Sequence, residues 1–163
     1  AVGLDVATYH FARPSAGDAF AEADHYCATV LGPTGAGRSR LWLDIEDAKS
    51  PLKGARLVEW CEAFLARVDT LSGAVCGVYT GRWYHDGWLG RTTAFHARPL
   101  WLASYPKRSP GPDAFRPSLG KLADMWVPTI WQYTSKLEVP GLTGRFDGNR
   151  CYGWTGPRVT GAT

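Results

Sequence analysis

The stretch Leu41-Trp42-Leu43-Asp44-Ile45-Glu46-Asp47 carries the strongest structural signal in this sequence. Side chains alternate between the two faces of a β-strand. The three aliphatic residues of the stretch therefore share one face, which suits packing under helices, and Trp42, Asp44 and Glu46 share the other. This pattern predicts a buried strand whose C-terminal end carries two carboxyl groups side by side.

Strands and helices alternate on both sides of this segment. The predicted elements are a strand over Val2–Phe11, a helix over Asp18–Leu31, a turn over Gly32–Gly37, a strand over Leu41–Ile45, a helix that begins at Ser50-Pro51 and stops at Gly73, a strand over Ala74–Thr80, a short helix from Gly81 to Gly87, and strands over Leu100–Tyr105, Val127–Thr134 and Glu138–Arg150. The alternation implies βαβ units with parallel strands, whose active sites gather at the C-terminal strand ends. Asp44 and Glu46 stand at such an end, whereas Asp5 lies near the start of its strand and is set aside.

The composition fits a single globular domain. Of the 163 residues, 45% are hydrophobic and 20% are charged, which argues against a disordered tail or a coiled coil. The net charge of +3 is scattered along the chain and is not the footprint of a nucleic-acid binder. No apolar run reaches the roughly 18 residues that a membrane-spanning helix needs, so we expect no membrane span. Eight Trp residues form either core or sugar platforms, and core is the commoner use of any one of them.

The cysteines do not indicate a metal site. Cys27, Cys61, Cys76 and Cys151 form no CxxC pair, so a structural zinc site is not expected. We expect no other metal and no cofactor. Four cysteines allow three disulfide connectivities, and buried free thiols are the favoured interpretation.

The paired carboxylates suggest acid–base chemistry. Two like charges buried together raise the pKa of at least one of them, so that one holds its proton near neutral pH. Glycoside hydrolysis needs such a pair, one acid to protonate the leaving oxygen and one carboxylate to stabilise positive charge. A metal site is less favoured because a hard cation wants more oxygen ligands, and solvated loop acids remain the plain alternative.

The sequence resembles the family 25 glycoside hydrolases, the lysozyme (muramidase) family, along nearly its whole length. Six pieces in the family's order carry the resemblance: Tyr9-His10-Phe11, Leu43-Asp44-Ile45-Glu46, Gly77-Val78-Tyr79-Thr80, Leu100-Trp101-Leu102-Ala103-Ser104-Tyr105, Ile130-Trp131-Gln132-Tyr133-Thr134 and Phe146-Asp147-Gly148-Asn149-Arg150.

The resemblance implies an α/β fold, an irregular TIM-like (β/α) barrel whose last strands lack helices. It also implies cleavage of the β-1,4 bond between N-acetylmuramic acid and N-acetylglucosamine in peptidoglycan. Glu46 would be the general acid, Asp44 would orient the substrate N-acetyl group, and Asp147 would line the site. The residues that would shape the sugar groove are Tyr9, Tyr79, Trp101, Tyr105 and Gln132.

Three other residues of the matching pieces have open or modest roles. Trp131 and Tyr133 belong either to the core or to the groove, and His10 is expected to be a structural histidine rather than a base.

The expected partner is the glycan strand of peptidoglycan, with no nucleic acid, and the expected form is a monomer that acts outside the cell at the wall. A phage endolysin and a bacterial lysozyme both fit this description.

The sequence also departs from the family pattern at its start. Family members begin with a strand carrying a Gly-Ile-Asp-Val-like motif and a second strand with Lys-Ala-Thr-Glu-like residues. Asp5 lies in a similar Gly-Leu-Asp-Val, but Tyr9-His10-Phe11 follows in the same strand and marks it as the third. We therefore expect an N-terminally truncated catalytic domain over residues 1–154, lacking the first strands and one site carboxylate, and a linker-like tail over 155–163. A non-catalytic glycan-binding barrel and a hydrolase of another polysaccharide are the alternatives.

Overall fold

A computed structural model of the protein describes residues 6–31, 40–106 and 126–153. The elements in chain order are β1 (Ala7–Phe11), α1 (Ala19–Val30), β2 (Arg40–Asp44), α2 (Ala55–Ser72), β3 (Gly77–Gly81), α3 (Arg82–Gly87), β4 (Leu100–Ala103), β5 (Pro128–Leu137) and β6 (Phe146–Cys151). The predicted turn over Gly32–Gly37, the start of the first predicted strand and the predicted tail over 155–163 lie outside the described residues. Within the described ranges, no helix has the length and apolar character needed to cross a membrane.

All six strands belong to one curled sheet whose order follows the chain, β1-β2-β3-β4-β5-β6. The first five strands are parallel, as the alternation of strands and helices predicts. β6 instead pairs antiparallel with β5. The molecule is thus a mixed α/β fold with a half-barrel sheet, in which the C-terminal ends of β1 to β5 meet at one edge.

The core lies between the sheet and the helices α1 and α2. Leu43 and Ile45 are fully buried on the face that the alternation in the sequence assigned to helix packing. The apolar stripe of α2 meets them with side chains three and four residues apart. Its buried members are Leu57, Trp60, Cys61, Phe64, Leu65 and Val68. This packing fixes which face of β2 is left for Asp44.

His10 lies on the face of β1 that packs against the helices. Its ring stacks on Phe64 at 5.2 Å between centroids, and its Nε2 atom lies 2.6 Å from an Oε2 atom of Glu22. These contacts agree with the expected structural role of this histidine.

The cysteines are free thiols. Cys27, Cys61 and Cys76 are buried, as expected, whereas Cys151 is exposed at the end of β6.

Trp131 is also buried, and its Nε1 donates a hydrogen bond of 2.7 Å to the carbonyl of Ser104. Core packing is therefore the outcome for Trp131.

The predicted start of the second helix is wrong. α2 begins at Ala55, with Gly54 as its N-cap at φ 56°, and not at Ser50-Pro51. The Ser50 hydroxyl accepts from the amide of Leu52 and donates to the carbonyl of Pro14, 36 residues away, but the chain turns at Gly54 before it becomes helical. At the other end, Gly73 closes the helix in the left-handed conformation at φ 67°, as predicted.

The third strand also begins later than predicted, at Gly77 instead of Ala74. The amide of Ala74 binds the Ser72 hydroxyl, and the amide of Cys76 donates to the Asp69 carboxylate at 2.7 Å. These local hydrogen bonds hold 74–76 out of the strand ladder.

Gly77 is the glycine whose replacement we expect to cost most stability. A Cβ atom at this position would lie 2.4 Å from the ring of Trp42, which is fully buried and packs edge-on against Trp101. Gly77→Ala should lower the free energy of unfolding by about 2–3 kcal/mol, the cost of overpacking a rigid core. Urea unfolding measures this, with Gly87→Ala as the control because a Cβ there meets nothing within 4 Å. Equal stability of the two variants would contradict the packing described.

Candidate active site

A cavity of about 370 Å³ opens on the face of the sheet opposite the helices, near the C-terminal strand ends. Its lining combines carboxyl, amide and aromatic side chains from all six strands and the segment after β2. These residues are Tyr9, Phe11, Asp44, Glu46, Tyr79, Trp101, Gln132 and Asp147. Every predicted site residue except Tyr105 therefore lines one cavity.

β2 and the residues just after it place the two acids. Asp44 ends β2 with 6% of its surface exposed, and its Oδ1 has no hydrogen-bond partner among the described residues. Ile45 continues the pairing beyond the strand, because its amide donates to the Tyr79 carbonyl and its carbonyl accepts from the Thr80 hydroxyl, both at 2.9 Å. Glu46 is therefore held on the same face as Asp44, closer to the mouth of the cavity.

Both acids resist ionisation. Burial, helped by the neighbouring charge of Glu46, raises the pKa of Asp44 from 3.8 to about 8. Burial also raises the pKa of Glu46, with a further contribution from the charge of Asp147. The pair of carboxyl groups therefore retains a proton near neutral pH, as their adjacency predicts, although the deeper Asp44 has the strongly raised value.

Gln132 organises the wall opposite the acids. Its Oε1 accepts hydrogen bonds from the hydroxyl groups of Tyr79 at 3.0 Å and Tyr105 at 2.6 Å. Burial and the nearby charge of Glu46 raise the pKa of Tyr79, so this phenol stays a neutral donor. Tyr105 is 54% exposed and does not line the cavity, so it acts on the cavity by fixing Gln132.

Trp101 forms an aromatic wall between the acids and β6. Its ring packs edge-on against Trp42 and Tyr79, at 5.5 and 5.3 Å between centroids. Its Nε1 donates a hydrogen bond of 2.8 Å to Oδ1 of Asn149, two residues after Asp147 on β6. This contact orients the indole ring and ties β4 to the strand that carries Asp147.

Two residues of the site were not singled out from the sequence. Phe11 lines the cavity, and Asn149 holds Trp101. Alternation along the strands could have found both, because Phe11 follows Tyr9 by two residues and Asn149 follows Asp147 by two. Within the described ranges, no group of three or more His, Cys, Asp or Glu side chains is placed to hold a metal ion.

The buried acid Asp44 should make stability depend on pH. Its carboxyl ionises at 3.8 in an unfolded chain and at about 8 in the folded protein, so folding opposes ionisation and the wild type loses stability as pH rises between these values. Asp44→Asn removes this loss. We expect the free energy of unfolding of the variant, relative to that of the wild type, to increase by several kcal/mol from pH 4 to pH 8. Urea unfolding at both pH values measures this difference. A gain that is the same at both pH values would contradict the burial of an ionisable Asp44.

The fold and the cavity together define a class of protein. Two carboxyl groups with raised pKa values, flanked by aromatic walls at the ends of parallel strands, form the type of site that glycoside hydrolases use. The model of the glycosyl hydrolases family 25 matches residues 1–142. This chain belongs to that family.

Similar proteins agree with this membership. The chain is 32% identical over 149 residues to an N,O-diacetylmuramidase of Chalaropsis sp, covering 86% of this chain and 66% of that protein. It is 27% identical over 158 residues to Lysozyme M1 of Streptomyces globisporus, covering 93% and 51%. The structure of a muramidase from Trichobolus zukalii superposes with a TM-score of 0.72 at 28% identity, covering 94% of this chain and 70% of that one. The chain thus spans about half of Lysozyme M1 and just under two thirds of the Chalaropsis protein.

Proposed function

We propose that this protein is a muramidase that hydrolyses the β-1,4 bond between N-acetylmuramic acid and N-acetylglucosamine in peptidoglycan. The observation that carries the proposal is the pair Asp44 and Glu46, held on one face at the end of β2 with raised pKa values. The names of its relatives, which are a lysozyme and muramidases, support the same substrate.

Glu46 is the general acid in this proposal. It lies nearer the cavity mouth than Asp44, where the glycosidic oxygen of a polymer can approach, and burial raises its pKa so that it can carry a proton. Protonation of the leaving oxygen by Glu46 breaks the bond to the anomeric carbon. The Glu46 carboxylate then takes a proton from the water that completes hydrolysis.

Asp44 orients the N-acetyl group of the sugar whose anomeric carbon reacts. The acetyl oxygen attacks that carbon, so the nucleophile belongs to the substrate and the protein needs one acid and one orienting group. The partnerless Oδ1 of Asp44 is an acceptor for the acetamido N–H. Positive charge that develops on this group favours the ionised form of Asp44, which stabilises it in turn.

The remaining lining residues hold the glycan. Asp147 adds negative charge opposite the acid pair, and Tyr9, Tyr79 and Trp101 offer faces against which the C–H surfaces of sugar rings pack. Gln132, fixed by Tyr79 and Tyr105, presents its amide to substrate hydroxyl or acetamido groups.

The proposal extends to the architecture and the place of action. We infer that residues 1–154 form the catalytic domain and that the half-barrel sheet belongs to an irregular TIM-like barrel, since β1 to β5 are parallel and follow the chain order. The protein acts as a monomer outside the cell, where peptidoglycan strands are exposed.

Release of reducing ends from purified peptidoglycan tests the function. The assay uses this chain and, in parallel, the chain extended by the two N-terminal strands that the resemblance implies. Co-sedimentation with the insoluble wall is measured on the same samples. Release by either form is the expected result. Wall binding without release by both forms would contradict the proposal and establish a glycan-binding barrel.

A further inference from the structure

Trp83 is a large aromatic residue that the site described above does not use. It is the second residue of α3, directly after β3, and 52% of its surface is exposed. Among the described residues, its ring contacts are edge-on packing against Tyr84 and Trp88, at 5.3 and 5.6 Å between centroids. Its indole N–H has no hydrogen-bond partner in that part of the chain, so both a ring face and a donor remain open.

Gly81 shows on which side of the sheet the Trp83 indole lies. Alternation along β3 puts Gly81 on the same face as Tyr79, which lines the cavity. A Cβ atom at Gly81 would lie 2.5 Å from Nε1 and 2.7 Å from Cδ1 of Trp83. The indole therefore occupies the space that a side chain at 81 would fill, on the cavity side of the sheet.

The pairing of β2 with β3 then places Trp83 beside Glu46. Asp44 is opposite Tyr79, and the hydrogen bonds of Ile45 carry this pairing one residue further. Glu46 and Gly81 each follow the paired residues Asp44 and Tyr79 by two positions, so Glu46 is level with Gly81. Adjacent strands lie only about 4.8 Å apart, so the two residues are neighbours. The Trp83 indole fills the space beside Gly81 and is not part of the cavity lining, so we infer that it forms the rim next to Glu46.

The rim is anchored to the segment that carries the acids. Tyr84 and Trp88, which support Trp83, stack with their ring planes 9° apart, and Lys53 lies over the Trp88 ring at 4.3 Å. The Tyr84 hydroxyl donates to the carbonyl of Asp47, the residue after Glu46. A fixed aromatic ring loses little conformational freedom when a ligand packs on it.

We propose that Trp83, next to Glu46 at the rim, is a stacking platform for an N-acetylhexosamine ring of the glycan. This sugar ring lies outside the cavity. The inference rests on the proposed function and adds a binding position to the same groove. The open face of the indole packs against the C–H surface of the sugar, and its N–H donates to an acetamido or hydroxyl oxygen. A polymer engages this position, whereas a short fragment confined to the cavity does not.

Steady-state kinetics on solubilised peptidoglycan strands tests the platform. Trp83→Ala should raise KM about tenfold, the factor that one stacking contact of about 1.4 kcal/mol gives, and leave kcat within about twofold. Trp83→Phe should recover most of the loss because a smaller ring still offers a face. Phe20→Ala is the matched control, since Phe20 has a similar exposure, at 59%, but lies on α1. Unchanged KM in Trp83→Ala, with a wild type that cuts, would overturn the platform.

Binding distinguishes failure of the platform from failure of the proposed function. The Glu46→Gln protein, labelled with ¹⁵N, is titrated with soluble glycan fragments several disaccharides long, and the Trp83 indole N–H signal is assigned by its loss in Trp83→Phe. A shift of this signal on titration supports the platform even if the wild type cuts nothing. Shifts of the Trp101 signal without any at Trp83 would overturn it.

Discussion

Glu46→Gln is expected to lower the rate of peptidoglycan hydrolysis by about 10³-fold, within the range that general acids contribute. Glutamine keeps the size of the side chain and its hydrogen-bonding capacity but has no proton to give to the leaving oxygen. Glu46 lies at the cavity mouth and is only partly buried, so the substitution leaves the core around Leu43 and Ile45 intact. Removing the charge that also raises the pKa of Asp44 relieves repulsion and does not strain the fold.

The measurement is the initial rate of reducing-end release, with thermal unfolding and wall co-sedimentation recorded on the same preparation. Glu62→Gln is the matched control because Glu62 is an exposed residue of α2. The control should keep the wild-type rate, and Glu46→Gln should bind the wall as the wild type does. A rate within about tenfold of the wild type would remove Glu46 from the role of general acid.

Asp44→Asn should lower the rate by about 10²–10³-fold, the range found when one preorganised electrostatic group is removed from an active site. Asparagine imitates the protonated Asp44 that the unliganded protein holds below a pH of about 8. It cannot become a carboxylate when positive charge develops on the N-acetyl group. The loss should therefore appear in kcat and persist across the pH range in which the wild type is active.

Stability separates this loss from a folding defect. The same variant should be more stable than the wild type at pH 8, so a protein that is better folded and yet nearly inactive is the expected combination. Peptidoglycan that lacks the N-acetyl group on its muramic acid should resist the wild type as well, because the substrate then has no internal nucleophile. Rapid cleavage of that substrate would contradict the role given to Asp44.

Local sequence patterns predicted much of the architecture. Alternation in the stretch from Leu41 to Asp47 placed Leu43 and Ile45 under the helices and Asp44 on the other face, as the structure shows. The stop of α2 at Gly73 followed from the left-handed conformation that glycine accepts. These features depend on neighbours in the chain, so the sequence contains the information directly.

Features that depend on distant contacts could not be predicted in this way. Ser50 marks a helix start by local rules, but a hydrogen bond ties it to Pro14, 36 residues away, and the helix begins only at Ala55. The same limit applies to the site. The two tyrosine hydroxyls that converge on Gln132 come from residues 53 and 27 positions away, and only the strand pairing brings them together.

The depth of each carboxyl group was also beyond the sequence pattern. Alternation made Asp44 and Glu46 equivalent on one face, whereas the structure buries Asp44 more deeply and raises its pKa to about 8. Asp44 still belongs to β2 and pairs with Tyr79, whereas Glu46 follows the end of the strand and is only partly buried. This difference in depth is a property of packing across β2, β3 and β4.

The identity of the sugar at the new reducing end shows which glycosidic bond of peptidoglycan this site cuts. Purified peptidoglycan digested with the protein is reduced with borohydride, and the released fragments are sequenced by mass spectrometry. We expect the reduced sugar to be derived from N-acetylmuramic acid in the wild-type digest, and we expect Glu46→Gln to release almost none. Fragments that end in reduced N-acetylglucosamine would show that the other glycosidic bond is cut, and the assignment of this site as a muramidase centre would be wrong.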